Sequence, residues 1–116
     1  MKTLVAAVLA AASATALAAP KAESAMECGI AADMAVVARS LAQEAVQRPQ
    51  ATAIMARIYD VSESTRGREL MRDILDAAYR QDSAAGGATS QKFAEDLFTA
   101  CMKTGGNMDT VLGSRL

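Results

Sequence analysis

The sequence predicts an all-α fold: a small four-helix domain, stapled by one disulfide and preceded by a cleavable signal peptide. Three observations carry that prediction. Alanine, leucine, glutamate and arginine are abundant and β-branched runs are missing, so local propensity favours helix throughout. Beyond the N-terminus, four segments repeat apolar residues at intervals of three and four, bounded by capping residues, proline or glycine. The only two cysteines, Cys28 and Cys101, fall on the first and the last of these segments.

The N-terminus reads MKTLVAAVLAAASATALAAPKAES. Lys2 supplies a short positive region, Leu4 to Leu17 an apolar one, and Ala16-Leu17-Ala18 the small residues that signal peptidase requires. Cleavage is expected after Ala18, or next after Ala19, with Pro20 favouring an extended exit. The segment is too short and too poor in leucine for a membrane span, and no basic stop-transfer flank follows it. Ala25-Met26-Glu27 before Cys28 also departs from a lipoprotein signal. The expected organisation is a signal peptide over 1–18, a helical domain over 19–104 and a flexible C-terminal tail over 105–116. The alanine-rich leader points to a bacterial periplasm or to secretion.

The first helix is expected from about Ser24 to Gln47, Ser24 and Glu27 forming a capping box. Its core stripe is Ile30, Met34, Val37 and Leu41, widened by Ala31, Ala35, Ala38, Ala42 and Ala45, with Cys28 near the edge. Pro49 ends this element and opens a short second helix, with Ile54, Met55, Ile58 and Tyr59 inward. A third helix follows DVSEST, capped by Asp60, Ser62 or Ser64. Leu70, Ile74, Ala77 and Ala78 form its core stripe, supported by Met71 and Leu75, while Asp73 belongs to a charged face. After the Gly86-Gly87 loop, Ser90 is expected to cap a fourth helix carrying Phe93, Leu97 and Cys101. Gly105 suits its left-handed C-cap. Beyond it, NMDTVLGSRL reads as a loose tail, with Val111, Leu112 and Leu116 able to dock.

Composition excludes several functions. Without its leader the chain has 98 residues, 11 basic and 13 acidic side chains and a net charge of −2, which lacks the positive footprint of a nucleic-acid partner. Tyr59, Tyr79, Phe93 and Phe98 are the only aromatic residues, too few for a stacking platform. Histidine is absent, which removes the usual general base and the commonest metal ligand. Ser62, Ser64 and Ser90 read as caps and no serine-nucleophile motif occurs. Glu95-Asp96 and Asp73-Asp76 read as solvated pairs, and Gly86-Gly87 lacks the lysine of a phosphate loop. No catalytic residue, cofactor or metal site is expected.

Three readings of Cys28 and Cys101 remain. A disulfide suits an oxidising compartment and a core this small. A copper site is the alternative, since Met26 and Met102 flank the cysteines and sulfur ligands favour Cu(I). A redox pair fits least, because the two cysteines are not spaced as C-x-x-C.

CGIAADMAVVARSLA, MRDILDAAYR and FAEDLFTACMK give the chain a layout that resembles small exported bacterial proteins with two cysteines and no established activity. The architecture is also loosely similar to the HdeA-type periplasmic acid-stress chaperones, which are small, helical and stapled by one disulfide. The leading expectation is a non-catalytic periplasmic or secreted binding module, as a stress-related holdase or an envelope accessory protein. Its expected partner is another envelope or secreted protein, with no nucleic acid and no membrane span after cleavage. A specific inhibitor or adaptor of another envelope protein is a further alternative.

Overall fold

The computed structural model describes residues 22–84 and 88–113. The expected signal peptide, with Ala18 and Ala19, lies outside the described residues, as do Gly86-Gly87 and Leu116. Five helices and no strand occur among the described residues: α1 (Ala25–Gln43), α2 (Arg48–Ile58), α3 (Thr65–Ala84), α4 (Ser90–Lys103) and α5 (Asp109–Leu112). The expectation of four is short by one, because the stretch read as a tail makes a helical turn of its own. None of these helices is long and apolar enough to cross a membrane.

α1 is the central element, packed mainly against α4 and α3. Ser24 caps it, its Oγ accepting from the Glu27 N–H at 3.2 Å, while the Glu27 carboxylate accepts from the Glu23 N–H at 3.0 Å. Its buried residues are Cys28, Ala31, Met34, Ala35, Ala38, Arg39 and Ala42. Ile30, expected in the core, is 41% exposed, and Val37 and Leu41 are only partly buried. The buried arc is centred on the alanines because two neighbours lie against α1 and small side chains let their backbones approach. α1 also stops at Gln43, short of the expected Gln47. Ala45 takes a left-handed conformation (φ 61°), its N–H donating to the Ala42 carbonyl and that of Val46 to the Leu41 carbonyl, both at 3.0 Å. This is a Schellman termination with alanine where glycine is usual.

α2 starts at Arg48, with Pro49 in its first turn. Only Ala51 and Met55 are buried, so the expected inward placement of Ile54 and Ile58 is corrected: both are exposed. The helix meets the rest of the fold along one narrow edge, and polar ties hold its ends. Arg48 pairs with Asp76 at 2.6 Å, and the Tyr59 hydroxyl donates to Asp33 at 2.9 Å.

α3 is capped by Ser64, whose Oγ accepts from the Gly67 N–H at 2.9 Å. Leu70, Met71, Ile74, Leu75, Ala77 and Ala78 are buried as expected. Asp73 is a correction: it is 9% exposed, not part of a solvated face. Its position three residues after Leu70 and one before Ile74 puts it inside the core stripe. In α4, Phe93, Ala94, Leu97 and Cys101 are buried. The cap is Thr89, one residue before the expected Ser90, its Oγ1 accepting from the Lys92 N–H at 3.0 Å.

The C-terminal stretch is fixed to the core as far as residue 113. Gly105 adopts φ 69°, as its expected C-cap role requires, and the Gly106 N–H donates to the Cys101 carbonyl at 2.8 Å. Met108 and Leu112 are buried, and Arg80 donates to the Leu112 carbonyl at 2.7 Å. At Gly106 (φ 107°) a side chain has no room, because a Cβ would lie 1.9 Å from the carbonyl oxygen of Ala22. The Ala22 N–H in turn donates to the Gly106 carbonyl at 3.3 Å, joining the chain before α1 to the chain after α4.

Candidate functional site

Cys28 lies in the first turns of α1 and Cys101 near the end of α4, and antiparallel packing brings the two positions level. They form a disulfide, with Cα atoms 5.7 Å apart. Cys28 is 3% exposed and Cys101 fully buried, so neither sulfur is presented to a redox partner. Both sulfurs are shared in this bond and no thiolate is left to hold a soft metal ion. Met26 and Met102 are exposed to solvent. No cluster of three or more His, Cys, Asp or Glu side chains suited to a metal ion occurs among the described residues. The disulfide is therefore a structural tie that fixes α1 against α4.

The two helices it joins form the walls of a groove of about 400 Å³. Ala32 of α1 and Ala94 of α4 line it, and Gly29 leaves one side open, with nothing within 4 Å of where a Cβ would stand. Val36 and Phe98 line opposite walls, 39% and 40% exposed, although both are large apolar side chains. One turn after Phe98 on α4, Met102 is also exposed.

Two carboxylates, Asp33 and Glu95, belong to the lining. Asp33 accepts the Tyr59 hydroxyl hydrogen bond, which orients its side chain. Burial pushes the Tyr59 hydroxyl pKa up, and the hydrogen bond and the negative charge of Asp33 push it further, so Tyr59 stays a donor well into the alkaline range. Gln91 donates to Glu95 at 3.4 Å. An apolar channel with acidic side chains suits an apolar chain that carries a positive charge.

Of the groove residues, Phe98 was visible in the sequence only as a neighbour of the α4 stripe. Val36 gave no signal at all, because one apolar residue off the stripe is ordinary on any helix. No protein-family model matches the chain, and no curated protein or solved structure is significantly similar to it.

Proposed function

We propose that this chain is an exported, periplasmic, non-catalytic binding module that docks an apolar, basic-flanked segment of another envelope or secreted protein between α1 and α4. The observation that carries the reading is the pairing of Val36 and Phe98, exposed across an alanine-lined groove whose helices are tied by a disulfide. A rigid groove lowers the entropic cost of ordering a bound segment. The disulfide and the apolar, Lys2-containing leader support export. Inhibition of an envelope protein, or recruitment of one, uses the same surface.

The test places a photo-crosslinking side chain at Val36, at Phe98 or at the remote Arg57 and irradiates the native cells. The reading expects the same adduct from Val36 and Phe98 and none from Arg57. Identical adducts from all three positions refute a specific groove.

A stress-related holdase, as in the HdeA-type resemblance, is the second reading. Its specific support is that three of the ties between helices depend on carboxylates: Asp76 with Arg48, Asp33 with Tyr59, and Glu27 with Arg66 at 2.7 Å. Without the carboxylate charges the two ion pairs are lost and the Tyr59 hydroxyl keeps only a neutral acceptor, so that α2 is held chiefly by its buried Ala51 and Met55. Suppression of client aggregation at acid pH and not at neutral pH is the expected result, and its absence ends this reading. The copper reading requires the disulfide to be reduced first. Intact mass after alkylation of native periplasmic material tests it: two adducts favour copper, and none refutes it.

A further inference from the structure

The lining of the α1–α4 groove changes character along its length. Cys28 and Cys101 mark one end of both helices, because their Cα atoms are 5.7 Å apart. From that level Phe98 lies three residues along α4, about 4.5 Å at 1.5 Å per residue, and Val36 lies eight along α1, about 12 Å. Asp33 lies five residues along α1 and Glu95 six along α4, about 7.5 and 9 Å. The two carboxylates therefore belong to opposite walls at nearly one level, between the two exposed apolar side chains. We propose that the docked segment is an amphipathic helix with one lysine or arginine between two apolar residues, at i+3 or i+4 between i and i+7. This rests on the docking role proposed above and adds the chemistry and register of the partner.

No cation lines the groove, so Asp33 and Glu95 leave it two negative charges. Asp33 Oδ2 accepts from Tyr59 and Glu95 Oε2 from Gln91, both neutral donors, and Oδ1 and Oε1 have no hydrogen bond among the described residues. Lys92, whose charge acts on Glu95, is tied to Asp96 at 2.8 Å and lies outside the lining. A cation midway along the groove stands between the two carboxylates, whereas one at the level of Phe98 or Val36 meets an apolar side chain. A second copy joined face to face sets these carboxylates against their own counterparts, which like charge opposes.

The walls suit a helix. Gly29, Ala32 and Val36 are spaced by three and four on α1, and so are Gln91, Ala94 and Phe98 on α4. Such rows are the ridges between which a third helix packs, and the glycine and alanines let its backbone approach. From Gly29 to the level of Gln91 the lining extends about 13.5 Å, the length of about nine helical residues. An apolar residue at i in the open space beside Gly29 puts i+4 about 6 Å further, level with the carboxylates. It puts i+7 about 10.5 Å further, beside Val36.

The test is selection of phage-displayed random peptides, long enough for three helical turns, on the disulfide-bonded protein. Recovered sequences are expected to share one basic residue between apolar residues at i and i+7. The strongest binder is then synthesised with its basic residue in place, replaced by glutamine, or moved to the C-terminus, and is measured by fluorescence polarisation. Either change should weaken binding about tenfold, the loss of a charge-assisted contact. Asp33→Asn with Glu95→Gln should weaken the parent peptide as much and the glutamine peptide not at all. Glu63→Gln, the same charge change at an exposed site outside the groove, should alter neither. Asparagine at position 33 keeps an acceptor for Tyr59, and each variant is checked by its unfolding midpoint. Peptides that lack the basic residue, or that bind the double variant as tightly as the wild type, overturn this register; the groove itself stands if Phe98→Ala abolishes their binding. Recovery of no peptide, or only of peptides indifferent to Phe98→Ala, overturns the groove as well.

Discussion

Replacing both cysteines, Cys28→Ala with Cys101→Ala, should cost about 4 kcal/mol. The bond spans 73 residues, and the chain-entropy expression for a loop of that length gives about 4 kcal/mol at 25 °C. The effect arises in the unfolded chain, which gains freedom once its two ends are released. Alanine is the suitable replacement because both positions are buried, and serine would add an unpaired hydroxyl to the core. A domain this small has a total stability of about 5–15 kcal/mol, so the variant retains a fold with a much reduced margin. Its melting temperature should fall by roughly 16–32 °C, taking about 4–8 °C per kcal/mol for a domain of this size. Urea unfolding followed by far-UV circular dichroism is the assay. The midpoint should drop and the urea dependence should steepen, because an uncrosslinked chain exposes more surface on unfolding. Reduced wild-type protein should match the variant. A loss below about 1 kcal/mol refutes the reasoning, since it means that the free chain already keeps its ends together.

Three further outcomes are expected. Arg39→Met removes a buried guanidinium that donates to the carbonyls of Ala78 at 3.0 Å and Ala88 at 2.8 Å. Both acceptors lose a charged donor, and the cost should be about 2–4 kcal/mol in urea unfolding. Ala45→Gly should stabilise by about 1 kcal/mol, because glycine adopts the left-handed C-cap without a Cβ penalty. Calorimetry should show a melting temperature higher by about 4–8 °C. Tyr59 is protonated in the fold above the pH at which the unfolded chain ionises it, because burial and then Asp33 raise its pKa. Its contribution is thus complete below about pH 10, the unfolded value, and is lost as pH rises above it. Unfolding midpoints measured across that range should fall less steeply in Tyr59→Phe than in the wild type.

Much of the scaffold was legible in the sequence. Caps are local chemistry, so Ser24 and Gly105 were found in their expected roles, and Ser64 was among the candidates for its helix. The stripes of α3 and α4 were also legible, because their large apolar residues are concentrated on one face and the moment has one direction. With only two cysteines, their pairing left one possibility once oxidation was accepted.

What periodicity leaves open is where the centre of a broad apolar arc points. In α1 the alanines and the larger residues span most of the circumference, and the positions of α3 and α4 decided that Ala35 and Ala38 are covered and Ile30 is not. Burial of Arg39 likewise depends on carbonyls 39 and 49 residues away, offered by α3 and by the chain entering α4. No local pattern announces such partners. The same holds for the segment after Gly105: its few apolar residues are too sparse to nucleate structure alone, and Met108 and Leu112 become ordered core because α3 and α4 offer them a surface. The α1–α4 groove exists for a related reason, since Val36 and Phe98 define it only when their helices are placed side by side. The sequence by itself determined four of the five helices, most of their ends and the staple; the tertiary structure decided which faces meet and that the last turn folds, because packing direction is a relation between elements that no single element encodes.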